Sequence, residues 1–303
     1  MRPRSPRAVG QCAPLCFLAL AACSDPAVSV GPPPNALPDR QSTTSERILI
    51  TRGWPRKVFT IEPDGSSAIQ LTTGSSTELD AAWAPDGKRV LFSSDAETAD
   101  NFAVYIMNAD GTGVTRLTSP SPSQYDLQAM ALGKGIVFSR SEGVTSSLWM
   151  IDADGANLTR LTTGPSDNAP APSPSGKLVA FMRNFDIYVV DVETRAVTNL
   201  TASAAPEISP SWSPNGKQIA YARYVEGSYD IFVMNADGTQ ATRLTDVFGN
   251  ETNPRWSPDG KRIVFTANYT SDSSVWLISA DGTGRNAVAN TPGVDNIATA
   301  WAR

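Results

Sequence analysis

A chain of 303 residues, 41% of them hydrophobic, is long enough to bury a sizeable core, and its net charge of −5 disfavours nucleic acid and anionic membrane surfaces as partners. Histidine is absent, which excludes Ser–His–Asp and Cys–His catalysis, histidine-ligated zinc and the usual neutral-pH proton shuttle. All three cysteines, Cys12, Cys16 and Cys23, lie near the amino terminus, so neither disulfides nor cysteine-bound metals are expected in the folded part.

Arg2, Arg4 and Arg7 precede an apolar segment from Ala13 to Ala22. The segment is too short to span a bilayer and has the layout of a secretory signal. Its end, Leu20-Ala21-Ala22-Cys23, resembles a bacterial lipobox, which implies that Cys23 is acylated and becomes the first mature residue. An ordinary secretory signal with an incidental cysteine is the alternative. Residues 1–22 are therefore expected to be a signal peptide and residues 23–45 a lipidated tether. Pro26, Pro32, Pro33, Pro34 and Pro38 would partly extend that tether, which has almost no large apolar residue to pack. Ser24 follows the cysteine. In a proteobacterial lipoprotein that implies the outer membrane, with the folded part facing the periplasm and touching lipid only through its anchor.

The folded part is expected over residues 46–303. Its first copy of a repeat has Ile48-Leu49-Ile50-Thr51, Val58-Phe59-Thr60-Ile61, the turn Pro63-Asp64-Gly65 and the ending Gln70-Leu71-Thr72. The second copy adds a front, Trp83-Ala84-Pro85-Asp86-Gly87-Lys88. It continues through Val90-Leu91-Phe92, Val104-Tyr105-Ile106-Met107 and Ala109-Asp110-Gly111-Thr112 to Arg116-Leu117-Thr118. In the third copy the front is degraded to Met130-Ala131-Leu132-Gly133-Lys134-Gly135, one residue shorter. In the fourth it is Pro172-Ser173-Pro174-Ser175-Gly176-Lys177, with proline in place of tryptophan. Ser211 to Thr245 and the copy beginning at Trp256 restore the full pattern, and Ala298-Thr299-Ala300-Trp301 supplies a front with nothing after it.

Each piece has a local cause. In the fronts proline pre-sets φ and glycine accepts the left-handed conformation that closes the turn. The apolar runs are β-branched and aromatic, of strand length and too short for helices. Each copy therefore reads as a four-stranded antiparallel meander. The first copy lacks its opening strand and the carboxy terminus has one to spare, as in a propeller that joins its ends within one blade. Residues 46–303 shared among six copies give about 43 per blade, the usual length of a four-stranded blade. The expected fold is all-β, a six-bladed β-propeller closed by the carboxy-terminal strand.

The repeated Trp-Ser-Pro-Asp-Gly-Lys and Ala-Asp-Gly-Thr blocks resemble the repeats of TolB-type propellers, a WD-repeat-like family of the bacterial envelope. The resemblance covers every blade and implies the propeller half of that family, here without its amino-terminal α/β domain. It implies an envelope location and a binding role rather than catalysis.

Trp83, Trp212, Trp256 and Trp301, read at the start of the inner strand beside a structural turn, are expected to anchor blade packing rather than stack a ligand. The Asp152-Ala153-Asp154-Gly155 loop has no bidentate glutamate at calcium-loop spacing, and turn capping accounts for it. Arg116, Arg160 and Arg243 recur once per blade on the outer strand, where a solvated edge wants charge. No cofactor or metal is expected. No Gly-x-Ser-x-Gly elbow or phosphate-binding glycine loop is present, but paired carboxylates remain available for a carbohydrate-active enzyme of glycosidase or lyase type.

Five residues before the tryptophan position stand Glu78, Asp167, Glu207 and Glu251, and in the other two copies the acid is displaced by one, as Asp126 and Asp295. The connection into each inner strand would bring these six carboxylates to one channel mouth, unless they merely cap their own turns. Like charges around a narrow opening repel, and a basic segment would relieve them. The expected function is a non-catalytic, monomeric platform that binds an envelope protein or a basic peptide segment at that mouth. A carboxylate-based enzyme is the alternative.

Overall fold

The computed structural model describes residues 46–269 and 271–302. The expected signal peptide and tether, with Cys23, lie outside them. The described residues form six four-stranded antiparallel sheets arranged as the blades of a propeller. Blade 1 runs, from the inner to the outer strand, Asn296–Trp301, Ile48–Arg52, Lys57–Ile61 and Ile69–Gln70. Pairing of Ile48 with Trp301 and of Arg52 with Asn296 joins the two ends of the domain in one sheet. Blades 2 to 6 are continuous in sequence, with inner strands Glu78–Trp83, Gln124–Leu132, Asp167–Pro172, Glu207–Trp212 and Asn250–Trp256.

The tryptophans close the inner strands rather than open them: Trp83 pairs with Val90 and Trp212 with Ile219, on either side of the proline turn. Trp212, Trp256 and Trp301 are buried, and each packs between blades. One cluster, for example, puts Ile231 and Val233 of blade 5 against Trp256, Ile263 and Phe265 of blade 6. The core is a ring of such seams, each formed by facing apolar sides of neighbouring sheets, and burial of each large side chain contributes about 1.5–3 kcal/mol.

In blades 1, 2, 3 and 5 the turn after the third strand packs closely on the preceding blade. Gly111 has φ +85°, and a Cβ there would lie 2.4 Å from the Leu71 carbonyl oxygen of blade 1. Gly238 approaches the Leu200 carbonyl and Gly65 the Val288 carbonyl to the same distance, so the seam between blades 6 and 1 repeats the others. Only glycine combines that φ with that approach, which explains the repeated Asp-Gly.

The Arg-Leu-Thr endings also prove structural. Thr118, Thr162 and Thr245 accept the N–H of Val104, Leu148 and Ile231 at 2.9–3.0 Å, which fixes the end of the outer strand. The arginine Nε of Arg116, Arg160 and Arg243 donates to the carbonyl of that threonine, so the guanidinium is held along its own strand at the exposed edge.

An antiparallel meander of four strands leaves two kinds of connection at each end. Turns from first to second and from third to fourth strand share one face, the turn face. Connections from second to third strand and between blades share the other, the loop face. The inner strands begin at the loop face, and there the predicted carboxylates lie.

Candidate functional site

Glu78, Asp126, Asp167, Glu207 and Glu251 begin the inner strands of blades 2 to 6, and all five are buried. In blades 3, 4 and 5 the register sets an arginine of the second strand directly opposite the acid: Asp126 faces Arg140, Asp167 faces Arg183 and Glu207 faces Arg223. Arg140 Nε and Nη2 donate to Asp126 at 2.6 and 2.7 Å, and Arg183 grips Asp167 in the same two-pronged way at 2.6 and 2.9 Å. Arg140 also lies over the Trp149 ring and Arg183 over Tyr188, both at 5.2 Å. Glu78 accepts from Lys57 Nζ at 2.8 Å, Ser76 Oγ at 2.6 Å and Thr72 Oγ1 at 3.1 Å. Thr72 belongs to the outer end of blade 1 and Glu78 to the inner strand of blade 2, so this carboxylate joins two blades. Glu251 is held by Tyr269 and, at 3.3 Å, by Arg285. Glu207 has the loosest partner, Arg223 Nε at 3.7 Å, and its Oε2 has none in the protein. Burial pushes Glu207 and Glu251 above the usual carboxylate range, only partly opposed by hydroxyl bonds from Thr201 and Thr245 and by the nearby arginines.

Two details of the sequence reading change. Asp126 is in phase: Ala131, paired with Ile136, occupies the tryptophan position, and the missing residues fall in the turn that follows. In blade 1 the equivalent position is Asn296, fully buried, whereas the half-buried Asp295 accepts the Ser273 N–H at 2.8 Å in the connection just before it. The expected ring of free charge is thus a ring of buried carboxylates, each met by a base of its own. Mutual repulsion, the physical premise for a basic partner at those six residues, is neutralised within the wall.

Two residues further along the same strands the chain reaches the axis. A register shift after the acid places Asp80, Gln128, Ala169, Ser209 and Asn253 at φ of 51–59°, and these bulged residues line an axial cavity of about 50 Å³ with Met130, Arg255 and Thr299. Gln128 Oε1 accepts the Ala169 N–H at 2.8 Å, and Ser209 Oγ donates to Asn253 Oδ1 at 3.1 Å. Arg255 Nε donates to the Thr299 carbonyl and Nη1 to the Pro254 carbonyl, both at 2.9 Å. Burial draws the Arg255 guanidinium down to about 10, opposed by the Asp80 charge, and raises the Asp80 carboxyl, opposed by Arg255 and Arg56. The sequence reading missed this pair. Its signal was a departure from the repeat: at the Arg255 position the other blades have Ala82, Met130, Ala171, Ser211 and Ala300.

Around the mouth, the loop face exposes large apolar side chains. Phe248, in the connection between blades 5 and 6, is 97% exposed, Val144 89% and Trp54 74%. Phe185 and Tyr224 join them from blades 4 and 5. The other exposed large apolar side chains among the described residues, Ile69, Val114, Leu158 and Val197, sit at or just before the start of the outer strands, on the rim of the ring. The turn face is built mainly of Asp, Gly, Lys, Asn, Ser, Pro and Thr, with Val114 and Leu158 exposed in its third-to-fourth turns.

The family model for the TolB beta propeller domain matches residues 42–186 and 182–302. The chain belongs to the TolB β-propeller family. An uncharacterized protein of Agrobacterium fabrum is 29% identical over 186 residues, 53% of this chain and 63% of its own length. The Tol-Pal system protein TolB of Francisella tularensis is 29% identical over 140 residues, 41% of this chain and 31% of its own. This TolB-family chain therefore spans less than two thirds of the curated relatives it matches. TolB of Acinetobacter baumannii superposes with a TM-score of 0.71 at 21% identity, over 85% of this chain and 66% of that one, which establishes a common fold.

Proposed function

We propose that this TolB-family propeller is a non-catalytic binding platform of the bacterial envelope. An acyl chain on Cys23 tethers it, on the periplasmic side of the outer membrane, and a protein or peptide docks on its loop face. The observation that carries the proposal is the placement of Trp54, Val144, Phe185, Tyr224 and Phe248 on that one face. Scattered exposed apolar residues need no explanation, but a group rimmed by polar loops on one side of a domain is characteristic of an interaction surface. Asp100, Glu142, Glu226 and Asp246 are exposed in the same loops and supply the acidic surround that a basic partner segment would meet. The buried acids behind them hold the loops in place. Binding by such a surface weakens as salt rises.

The test is a photo-crosslinking scan in intact cells of the source organism. A photoreactive residue at position 54, 144 or 248 is expected to give a discrete adduct with a protein or peptide, and one at position 112 or 239 on the turn face none. Adducts from the turn face alone would place the docking surface on the wrong side. For the anchor, Cys23→Ser is expected to move the protein from the membrane to the soluble fraction; continued membrane association through its amino terminus would refute acylation.

A further inference from the structure

We propose that the axial cavity binds a small zwitterion of amino-acid type, with its carboxylate on Arg255 and its ammonium on Asp80. The proposal concerns the waist of the propeller and is independent of what docks on the loops.

The inner strands repeat, and at the waist the repeat is broken twice. Two residues after the buried acid position, blades 1, 3, 4, 5 and 6 carry Ala298, Gln128, Ala169, Ser209 and Asn253, all uncharged, while blade 2 carries Asp80. Four residues after it, only blade 6 carries a charge, Arg255. The fold needs neither charge, since blades 3 to 6 make the same bulge without an acid there and blades 1 to 5 form their seams without an arginine.

Neither charge has an ion-pair partner within 4.0 Å among the described residues. No ion pair within 4.0 Å forms among the described residues between Asp80 and Arg255, or between Asp80 and Arg56, although each pair is close enough to interact electrostatically. Besides the two arginines, the Gln128 backbone N–H favours the charged form of Asp80. Arg255 spends Nε and one Nη1 hydrogen on the Thr299 and Pro254 carbonyls, which fix the plane of the guanidinium and leave Nη2 without a protein acceptor among the described residues. The remaining polar groups of the cavity, on Gln128, Ser209 and Asn253, bond to their neighbours. One held cationic donor and one anionic acceptor, both half-buried and with no ion-pair partner within 4.0 Å among the described residues, thus share a cavity of about 50 Å³.

The charges choose the ligand. A lone cation at Asp80 would be repelled by Arg255 and Arg56, and a lone anion at Arg255 by Asp80. Desolvation in the wall, which moves both groups against their charged forms, is relieved only when both gain partners together. A molecule carrying both charges within a few ångströms does this, whereas the volume admits a carboxylate and an ammonium but no sugar ring. Arg56 interacts electrostatically with both Asp80 and Asp295, so the surround holds two charges of each sign.

The experiment is titration calorimetry of the full-length protein with glycine, and in parallel with acetate and with methylammonium. Glycine is expected to bind saturably at one site per chain, at least about tenfold more tightly than either singly charged probe. Asp80→Asn and Arg255→Gln should each weaken glycine by about tenfold or more while the thermal transition moves by only a few degrees. No saturable glycine binding up to about 0.1 M overturns the proposal, as does acetate or methylammonium binding as tightly as glycine. The three probes on the unaltered protein decide the matter even if a variant fails to fold. A variant that folds, binds glycine normally and melts much earlier would make the pair a structural clamp instead.

Discussion

The buried acids and the axial pair lie two to four residues apart on the same strands, yet they are built on opposite plans. Five of six blades repeat the acid, and every copy is met by a base: Lys57, Arg140, Arg183, Arg223 or Arg285. The waist varies from blade to blade, and its two charges meet none within ion-pair distance. A repeated group with a repeated partner holds a repeated fold together. A charge that appears once, where the fold does well without it, is not explained by the fold.

The largest effect that sharpens this contrast lies at the closure. Deleting residues 296–303 removes the inner strand of blade 1, exposes the edge at Ile48–Arg52 and takes Trp301 from its seam. A buried tryptophan lost to alanine alone costs about 3–5 kcal/mol, so the melting temperature should fall by at least about 10 °C, read by circular dichroism. An unchanged transition would mean the ring is held shut elsewhere.

Next in size is a comparison of two glycines. Gly111 and Gly87 both have positive φ, but only at Gly111 would a Cβ strike a neighbouring blade; at Gly87 nothing lies within 4 Å. Gly87→Ala should cost about 1 kcal/mol through φ alone and Gly111→Ala at least about twice that in denaturant unfolding. Equal costs would mean the turn does not lock the blades.

Propeller closure and the position of every blade were legible in the sequence because turns and strands are local. Proline, glycine and short apolar runs carry their reasons within a few residues. The acids were legible as a column, and Asp126 was misaligned only because blade 3 shortens its turn. What could not be read was their burial, which depends on partners up to 34 residues away, such as Arg285 for Glu251. Nor could spacing reveal that Asp80 and Arg255, more than 170 residues apart, share one cavity. The tryptophans were recognised as packing anchors, and their indole N–H groups, at Trp83, Trp212, Trp256 and Trp301 alike, have no acceptor among the described residues.

A smaller effect concerns pH. The folded-state carboxyl of Glu207 is raised by burial, so its contribution to stability is present at acid pH and lost as pH rises through that raised value. Lowering pH through that raised value should therefore add stability through this residue, and Glu207→Gln should flatten the dependence of melting temperature on pH there. An identical slope in the variant would show that the loosely paired Glu207 is not strained by its burial.

The smallest expected effect on stability is at the loops. Trp54→Ser and Phe248→Ser should each change unfolding free energy by no more than about 0.5 kcal/mol, because both side chains already face solvent. Together they should abolish the crosslinked adduct. A folded double variant that still forms the adduct through position 144 at full yield would move the docking surface off these residues.

The contrast between paired repeat and unpaired departure is tested most directly by urea unfolding of Asp126→Ala beside Asp80→Asn. Asp126→Ala leaves the buried Arg140 without its two-pronged partner and should cost about 3–5 kcal/mol. Asp80→Asn removes a charge with no ion-pair partner within 4.0 Å among the described residues and should change stability by less than about 1 kcal/mol. The reverse order, with Asp80→Asn the more damaging and Asp126→Ala nearly silent, would contradict the assignment of the repeated acids to the fold and of the axial pair to a ligand.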